Sequence, residues 1–382
     1  MTKKAGIFVL CWLWVMSVLY CTETIINPAL PMKKGDENQK VLVLKEVLRI
    51  RDTAGEFYFK EPKNLKISTT GDIFLLDKRQ LLKFDPTGKF CGNFFQFGQG
   101  PKEVINITNY LLLGNELIIH SSGLSKVIIF NHQTTELIKE FKVPFYSYSH
   151  LFYLYGDKLI FNKSEHVDTG GKLRMLDVAM SLISISMENG QAEEMIGFPV
   201  KYLVIKAGDH SFISQRAKFL SCPITDDLMI ISHTSEYNLL LYSFKTNAVI
   251  KRFKREYKRV KVDEVTEKYA PGGNLGKIGL GNGEWFDSPV DEYHRDVQEL
   301  LKYKDKLWVV TSTSTVDNKV LVDVYDLNGK VVDFFYVKLP SYIVPYQAFT
   351  WLECIDGDFL YAAEEDENGQ KYITKYKIEK WN

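Results

Sequence analysis

A polar turn followed at once by a short apolar strand recurs along this chain, and that repetition limits its fold more than any other feature. The fullest copy runs from Asn64 to Glu103. Pro62 opens a strand at Leu65–Ser68, where its missing N–H does least harm. Thr69-Thr70-Gly71-Asp72 turns into Ile73–Asp77, and Leu81–Phe84 follows. Asp85-Pro86-Thr87-Gly88 then turns the chain, with Pro presetting φ and Gly supplying a positive φ. Lys89–Phe97 reads as a fourth strand, and Gly98-Gln99-Gly100-Pro101 leads out of the unit.

The same order returns at Gly114-Asn115, Gly156-Asp157, Asp226-Asp227, Asp305 and Gly357-Asp358, each before an apolar strand. A second polar turn closes most units, as at Asn131-His132, Glu188-Asn189-Gly190 and Asp326-Leu327-Asn328-Gly329. Counting the first copy, there are six units. The anchors Asp72, Asn115 and Asp157 are spaced 43 and 42 residues apart. That matches the roughly 40–50 residues of a four-stranded propeller blade. Later gaps are longer and require insertions, the clearest being 258–296, whose Pro271–Pro289 core is glycine-rich and without strand periodicity. Val104–Leu113 reads as strand.

The last unit offers only three strands: Ala348–Ile355, Phe359–Ala363 and Tyr372–Ile378. The run Val41–Ile50 supplies the fourth. Pairing the N-terminal strand with the last blade hides two sheet edges that would otherwise invite aggregation. The expected fold is therefore all-β: a six-bladed β-propeller of four-stranded antiparallel blades in one domain, 41–382, closed by its N-terminal strand. The 21 Tyr and 24 Phe suit such strands.

Lys3 and Lys4 precede an apolar run, Ala5–Tyr20, the layout of a secretory signal over residues 1–21. The run is shorter than the ~20 residues of a membrane-spanning helix. Cys21 ends it as in a bacterial lipoprotein signal, although Tyr20 stands where that pattern has a small residue. Residues 22–40 are polar with two prolines and read as a tether. The chain is then expected to be exported, to the periplasm or as an outer-membrane or cell-surface lipoprotein. Cys91, Cys222 and Cys354 are too far apart for a zinc motif and read as buried unpaired thiols.

Residues 55–103 carry Gly55-Glu56-Phe57, Pro62, Gly71-Asp72-Ile73-Phe74, Asp77, Phe84-Asp85, Gly88-Lys89 and Phe97-Gly98-Gln99-Gly100-Pro101-Lys102-Glu103. This set resembles the secreted bacterial six-bladed β-propeller family, related to NHL-repeat and TolB-like propellers. The resemblance implies export, often with lipidation, and adds little about chemistry. No later Phe-Gly-x-Gly turn repeats it, so the other five units rest on spacing.

Chemistry is harder to find. Gly98–Pro101 lacks the helix that a phosphate-cradling loop needs, and Gly276-Lys277 has Pro271 where a P-loop has glycine. No G-x-S-x-G elbow is present, and the seven His show no ligand spacing. Asp366-Glu367-Asn368-Gly369 lacks the distal Glu of a calcium loop and reads as a hairpin turn. Lys+Arg and Asp+Glu are equal at 48 each, without the basic excess of a nucleic-acid surface. No cofactor is indicated, although an axial Ca or Zn, with one ligand per blade, would leave no spacing signal. The first expectation is a non-catalytic binding or scaffold propeller of the cell envelope. It would hold a glycan, peptide or envelope protein, with membrane contact only through the signal or a lipid. Its candidate residues are Trp285, Phe286, Tyr293 and His294 on the insertion, since loops on rigid scaffolds carry binding. Asn106, His150 and Arg216 fall near starts of innermost strands. The alternative is a metal-dependent lactonase, lyase or hydrolase with its site on the propeller axis.

Overall fold

Ile73–Asp77 and Gln80–Phe84 are buried at every position. A sheet with one wet face would alternate along its strands, so burial on both faces requires a neighbour on each side. A ring of sheets packed face to face provides this. The computed structural model describes residues 23–29, 40–52, 55–143, 150–164, 174–207, 210–215, 219–262, 277–279, 285–287, 291–343 and 351–381.

Two strands, β1 (Glu23–Asn27) and β2 (Leu42–Ile50), precede the blades. Blade 1 is β3 (Pro62–Ile67), β4 (Ile73–Asp77), β5 (Gln80–Phe84) and β6 (Phe90–Asn93). Blade 2 is β7 (Asn109–Leu113), β8 (Glu116–Ser121), β9 (Lys126–Asn131) and β10 (Leu137–Lys142). Blade 3 is β11 (His150–Tyr155), β12 (Lys158–Ser164), β13 (Arg174–Ser186) and β14 (Ala192–Ala207), with a fifth strand β15 (His210–Gln215). Blade 4 is β16 (Leu220–Pro223), β17 (Leu228–Ser232), β18 (Asn238–Ser243) and β19 (Ala248–Arg255). A two-stranded hairpin follows, β20 (Lys277–Gly279) and β21 (Trp285–Asp287). Blade 5 is β22 (Val297–Tyr303), β23 (Lys306–Ser314), β24 (Lys319–Asp326) and β25 (Val331–Lys338). Blade 6 is β26 (Leu352–Asp356), β27 (Phe359–Glu365) and β28 (Lys371–Trp381), completed on its outside by β2.

The first strand of a blade lies innermost, where β3 neighbours both β7 and β26. The ring closes as the sequence predicts. β2 runs antiparallel to β28 from Leu42 opposite Trp381 to Ile50 opposite Ile373. Six apolar cores fill the six gaps between blades. Between blades 6 and 1, for example, Ile50, Leu65 and Phe84 meet Tyr361 and Ile373. Three turns repeat one device. The Oδ1 of Asp85, Asp326 and Asp366 each accepts two backbone N–H groups, two and four residues on. Asp366–Gly369 is therefore a hairpin turn of the same kind as Asp85–Gly88.

Each departure from the sequence reading has a physical cause. β6 spans only Phe90–Asn93; the Phe94 amide still donates to Leu81 O, but Asn93 Oδ1 takes the Leu81 and Phe95 amides and ends the strand, and Phe94 and Phe95 pack on the blade 1–2 core. Residues 104–108 are not strand: Val104 and Ile107 are plugs in that same core, and β7 begins at Asn109. Part of Ala348–Ile355 lies outside the described residues, and β26 begins at Leu352. Cys222 is buried, but Cys91 is exposed and Cys354 half-buried; all three thiols are free. Cys91 sits on β6, the outermost strand of blade 1 among the described residues. The segment read as a tether carries β1, which adds a fifth, parallel strand to the outside of blade 4.

Blade 3 is the tall one. β13 and β14 pair from Arg174 opposite Val204 to Ile185 opposite Ala192, and Arg174–Ala179 runs past the end of β12. Val178, Met180, Val200, Tyr202 and Val204 give this extension a core of its own. It rises at the end of the ring where one blade hands over to the next, the crossover end. The insertion leaves β19 and enters β22 at this same end.

Candidate functional site

The insertion stands on two paired legs. Their sequences, Lys258-Arg259-Val260-Lys261-Val262 and Asp291-Glu292-Tyr293-His294-Arg295-Asp296, are basic and largely acidic. The His294 amide donates to the Val260 carbonyl at 2.9 Å, and the Val262 amide to the Glu292 carbonyl at 3.0 Å. Lys261 and Tyr293 form an antiparallel bridge between them. Asp296 ties the base to blade 4. Its Oδ1 accepts from Arg259 Nε at 3.0 Å, and its Oδ2 from the Tyr237 amide at 2.9 Å. Burial pushes the Asp296 carboxyl up, while Arg259 and the Tyr237 amide pull it back.

This base presents Tyr293 to cations. The Arg259 guanidinium lies 4.8 Å from its ring centroid and the Lys261 ammonium 5.9 Å. The hairpin β20–β21 carries Trp285 with 67% of its surface exposed. A large indole left in water forfeits roughly 1.5–3 kcal/mol of burial, so it is available to a partner. Phe286 is in the same strand, β21, and His294 is in the leg ladder. Arg259, Lys261 and Asp296 escaped the sequence reading. The complementary charge of the two legs was the signal that could have found them.

The extension of blade 3 meets blade 4 beside this base. His233, in the turn after β17, donates from Nδ1 to the Pro199 carbonyl of β14 at 2.8 Å and packs on Phe198. Burial holds the imidazole below its ordinary pKa. The neighbouring turn supplies the Ser235 carbonyl, which accepts from Asp296 N at 2.8 Å and from Arg259 Nη2 at 3.3 Å.

The axial candidates separate. Asn106 lies just before β7, and its side chain is used locally. Oδ1 accepts from Ser121 Oγ and the Gly123 amide, and Nδ2 donates to Thr108 and Ser122 hydroxyls. His150 is the first residue of the innermost strand β11. Arg216 and Cys21 lie outside the described residues. Along the inner strands the Lys66 ammonium lies 5.7 Å from the Tyr110 ring, whose hydroxyl donates to Asn64 O at 2.6 Å. Burial pushes the Cys222 thiol of β16 up to about 12, so it is a poor nucleophile at neutral pH. Among the described residues no three His, Cys, Asp or Glu side chains gather where they could hold a metal ion.

Two cavities open elsewhere. One of about 760 Å³ lies at the opposite end of the ring, between Leu111–Leu113, Tyr153–Tyr155 and Asp226. Another of about 420 Å³ lies between blades 1 and 2, beside Lys83, Cys91 and His132. Lys83 there is held by Asp72 at 3.0 Å.

The fold has a solved counterpart. A Bacteroides fragilis protein described as exported superposes with a TM-score of 0.53 at 12% identity, over 94% of this chain and 100% of that one. A chain of the mitotic checkpoint complex gives 0.44 at 9% identity, over 92% of this chain and 96% of that one. No curated protein matches the sequence. Residues 37–259, more than half of the chain, match the family described as 6-bladed beta-propeller, and the chain belongs to that family.

Proposed function

We propose that this chain is a non-catalytic binding propeller of the cell envelope, exported and held there by its N-terminal signal or a lipid on Cys21. It grips a glycan, peptide or envelope protein at the crossover end. The observation that carries this reading is Trp285, two-thirds exposed on a hairpin whose legs are locked to the ring through Arg259 and Asp296. A rigid base with an aromatic tip is the usual composition of a binding loop. Tyr293 between Arg259 and Lys261 adds a cationic, aromatic flank suited to sugar hydroxyls or carboxylates. The Lys3-Lys4 start and the apolar run support export. The description of the Bacteroides fragilis counterpart as exported agrees with it.

Titration of indole fluorescence with envelope glycans and peptides tests the reading, with wild type against Trp285→Ala and a deletion of 271–289. Removing an aromatic anchor should weaken binding by about thirtyfold, equivalent to ~2 kcal/mol. The deletion should abolish binding with an unchanged melting temperature. Undiminished binding by the deleted chain would overturn the assignment.

A further inference from the structure

The N-terminal strand fixes where the chain enters the propeller, and the strand it docks on carries Lys251, Arg252, Lys254 and Arg255. β1 starts two residues after Cys21 and pairs in parallel with β19, Glu23 opposite Lys251 and Asn27 opposite Arg255. Asn27 is buried, and its amide holds the carbonyls of Lys254 and Gly329. Two residues span at most about 7 Å, so the chain has almost no slack between Cys21 and the rim of blade 4.

That rim is basic in a protein whose net charge is zero. Lys245, Arg252 and Lys254 are exposed along the outer edge of blade 4 and Lys258 just beyond the end of β19, where the insertion's first leg begins, and none of their charged groups makes an ion pair among the described residues. Lys251 is paired with Glu23 at 3.3 Å. Arg255 is turned inward onto Asp323 at 2.7 Å. The carboxylates nearby are Glu256 on the chain itself, Asp227 at the Lys245 turn and, on blade 3, Glu193 and Glu194; Asp227 accepts from the Lys245 amide and Ser243 Oγ, Glu193 is engaged by Lys158 and Glu194 by Ser181. Beside this stripe β1 exposes Ile26 at 68%.

We propose that the outer edge of blade 4, lined by Lys245, Arg252, Lys254 and Lys258 beside the docked strand β1, is a docking surface for anionic membrane lipids. The inference rests on the envelope reading but not on Trp285. The occupant follows from charge and from where β1, two residues after the proposed anchor at Cys21, docks on blade 4. A lipid-bearing or membrane-inserted segment ending at residue 21 delivers the bilayer to this edge, and basic residues next to a lipid anchor strengthen its hold on an anionic leaflet. β1 runs from its Cys21 side toward the crossover end, as β19 does. The anchor therefore sits toward the other end of the blade from the one at which the insertion leaves β19.

The test uses the chain from residue 22 onward, which contains every described residue and lacks Cys21. It is sedimented with vesicles of phosphatidylglycerol and phosphatidylcholine, and with phosphatidylcholine alone. Binding should appear only with the anionic vesicles and fade as salt rises. Arg252→Glu, Lys254→Glu and Lys258→Glu together should lower that partition at least tenfold. The same reversal at Lys63, Lys338 and Lys380, on blades 1, 5 and 6, should change it less than twofold. Equal losses in the two triple variants, equal binding to neutral vesicles, or no binding at all would overturn the proposal. Titration of the Trp285 hairpin with glycans and peptides is a separate measurement, so either result can fail alone.

Discussion

The side-chain amide of Asn27 donates to the carbonyl of Gly329 at 3.0 Å, joining residues 302 positions apart. The same side chain donates to Lys254 O at 3.2 Å and accepts from the Val331 amide at 2.9 Å. One buried asparagine thus bridges the outer strand of blade 4 and the last turn of blade 5. It converts β1 from a loose leader into part of the ring.

Asn27→Ala removes all three bonds and leaves two carbonyls and an amide to find water in a closed site. A buried hydrogen-bonding group left without its partner costs about 1–3 kcal/mol. The loss should be local: β1 detaches while the six inter-blade cores remain. Hydrogen exchange at residues 23–27 should accelerate strongly, with only a small drop in melting temperature. Unchanged protection of β1 would show that its ladder with β19 suffices.

Gly329 is sensitive for a different reason. Its φ is +91°, a left-handed conformation that favours glycine, and a Cβ there would lie 2.0 Å from the Phe253 ring. Phe253 is buried in the blade 4–5 core and has nowhere to go. Gly329→Ala combines backbone strain of about 1 kcal/mol with overpacking of about 1–3 kcal/mol. Chemical denaturation should show a lower midpoint, by more than Gly114→Ala, where the same φ sign has open space around it. Equal losses at the two glycines would mean that strain alone matters.

Ring closure gives the largest expected effect. Ile50 is 4% exposed and sits between blades 6 and 1 with Leu65, Phe84 and Ile373. Ile50→Ala should cost about 2–5 kcal/mol through lost burial and a residual cavity. Removing residues 41–50 opens the β28 edge and one whole core, and should abolish the cooperative transition. A truncated chain that melts like the intact one would refute closure by β2.

The blades were legible because each turn uses residues whose backbone needs are local. The Asp–Gly turns at 85–88, 326–329 and 366–369 read directly from sequence and share one hydrogen-bond pattern. Closure was legible by subtraction, since blade 6 lacked a strand. What stayed hidden depends on distant partners. β1 has no alternation to betray it; its register on β19 is fixed by Asn27 reaching blade 5. The height of blade 3 was masked because long gaps were assigned to insertions, whereas β13 and β14 run 13 and 16 residues. At the insertion the sequence singled out Trp285 and Tyr293 but not Arg259 and Asp296, whose importance lies in a pairing across 37 positions.

His233 makes the junction of blades 3 and 4 sensitive to acid. Burial depresses the pKa of its ring, the Nδ1–H bond to Pro199 O offsets part of that shift, and Arg252 opposes the charged form further. The folded protein therefore binds this proton less readily than the unfolded chain. Stability is full above the unfolded imidazole pKa of about 6.5 and is lost as pH falls below it, by up to ~1.4 kcal/mol per unit until the folded form also titrates. Melting temperatures measured from neutral pH down to about 5 should fall more steeply for wild type than for His233→Gln, whose amide can still donate to Pro199 but does not titrate. Parallel curves for the two proteins would place the acid sensitivity elsewhere.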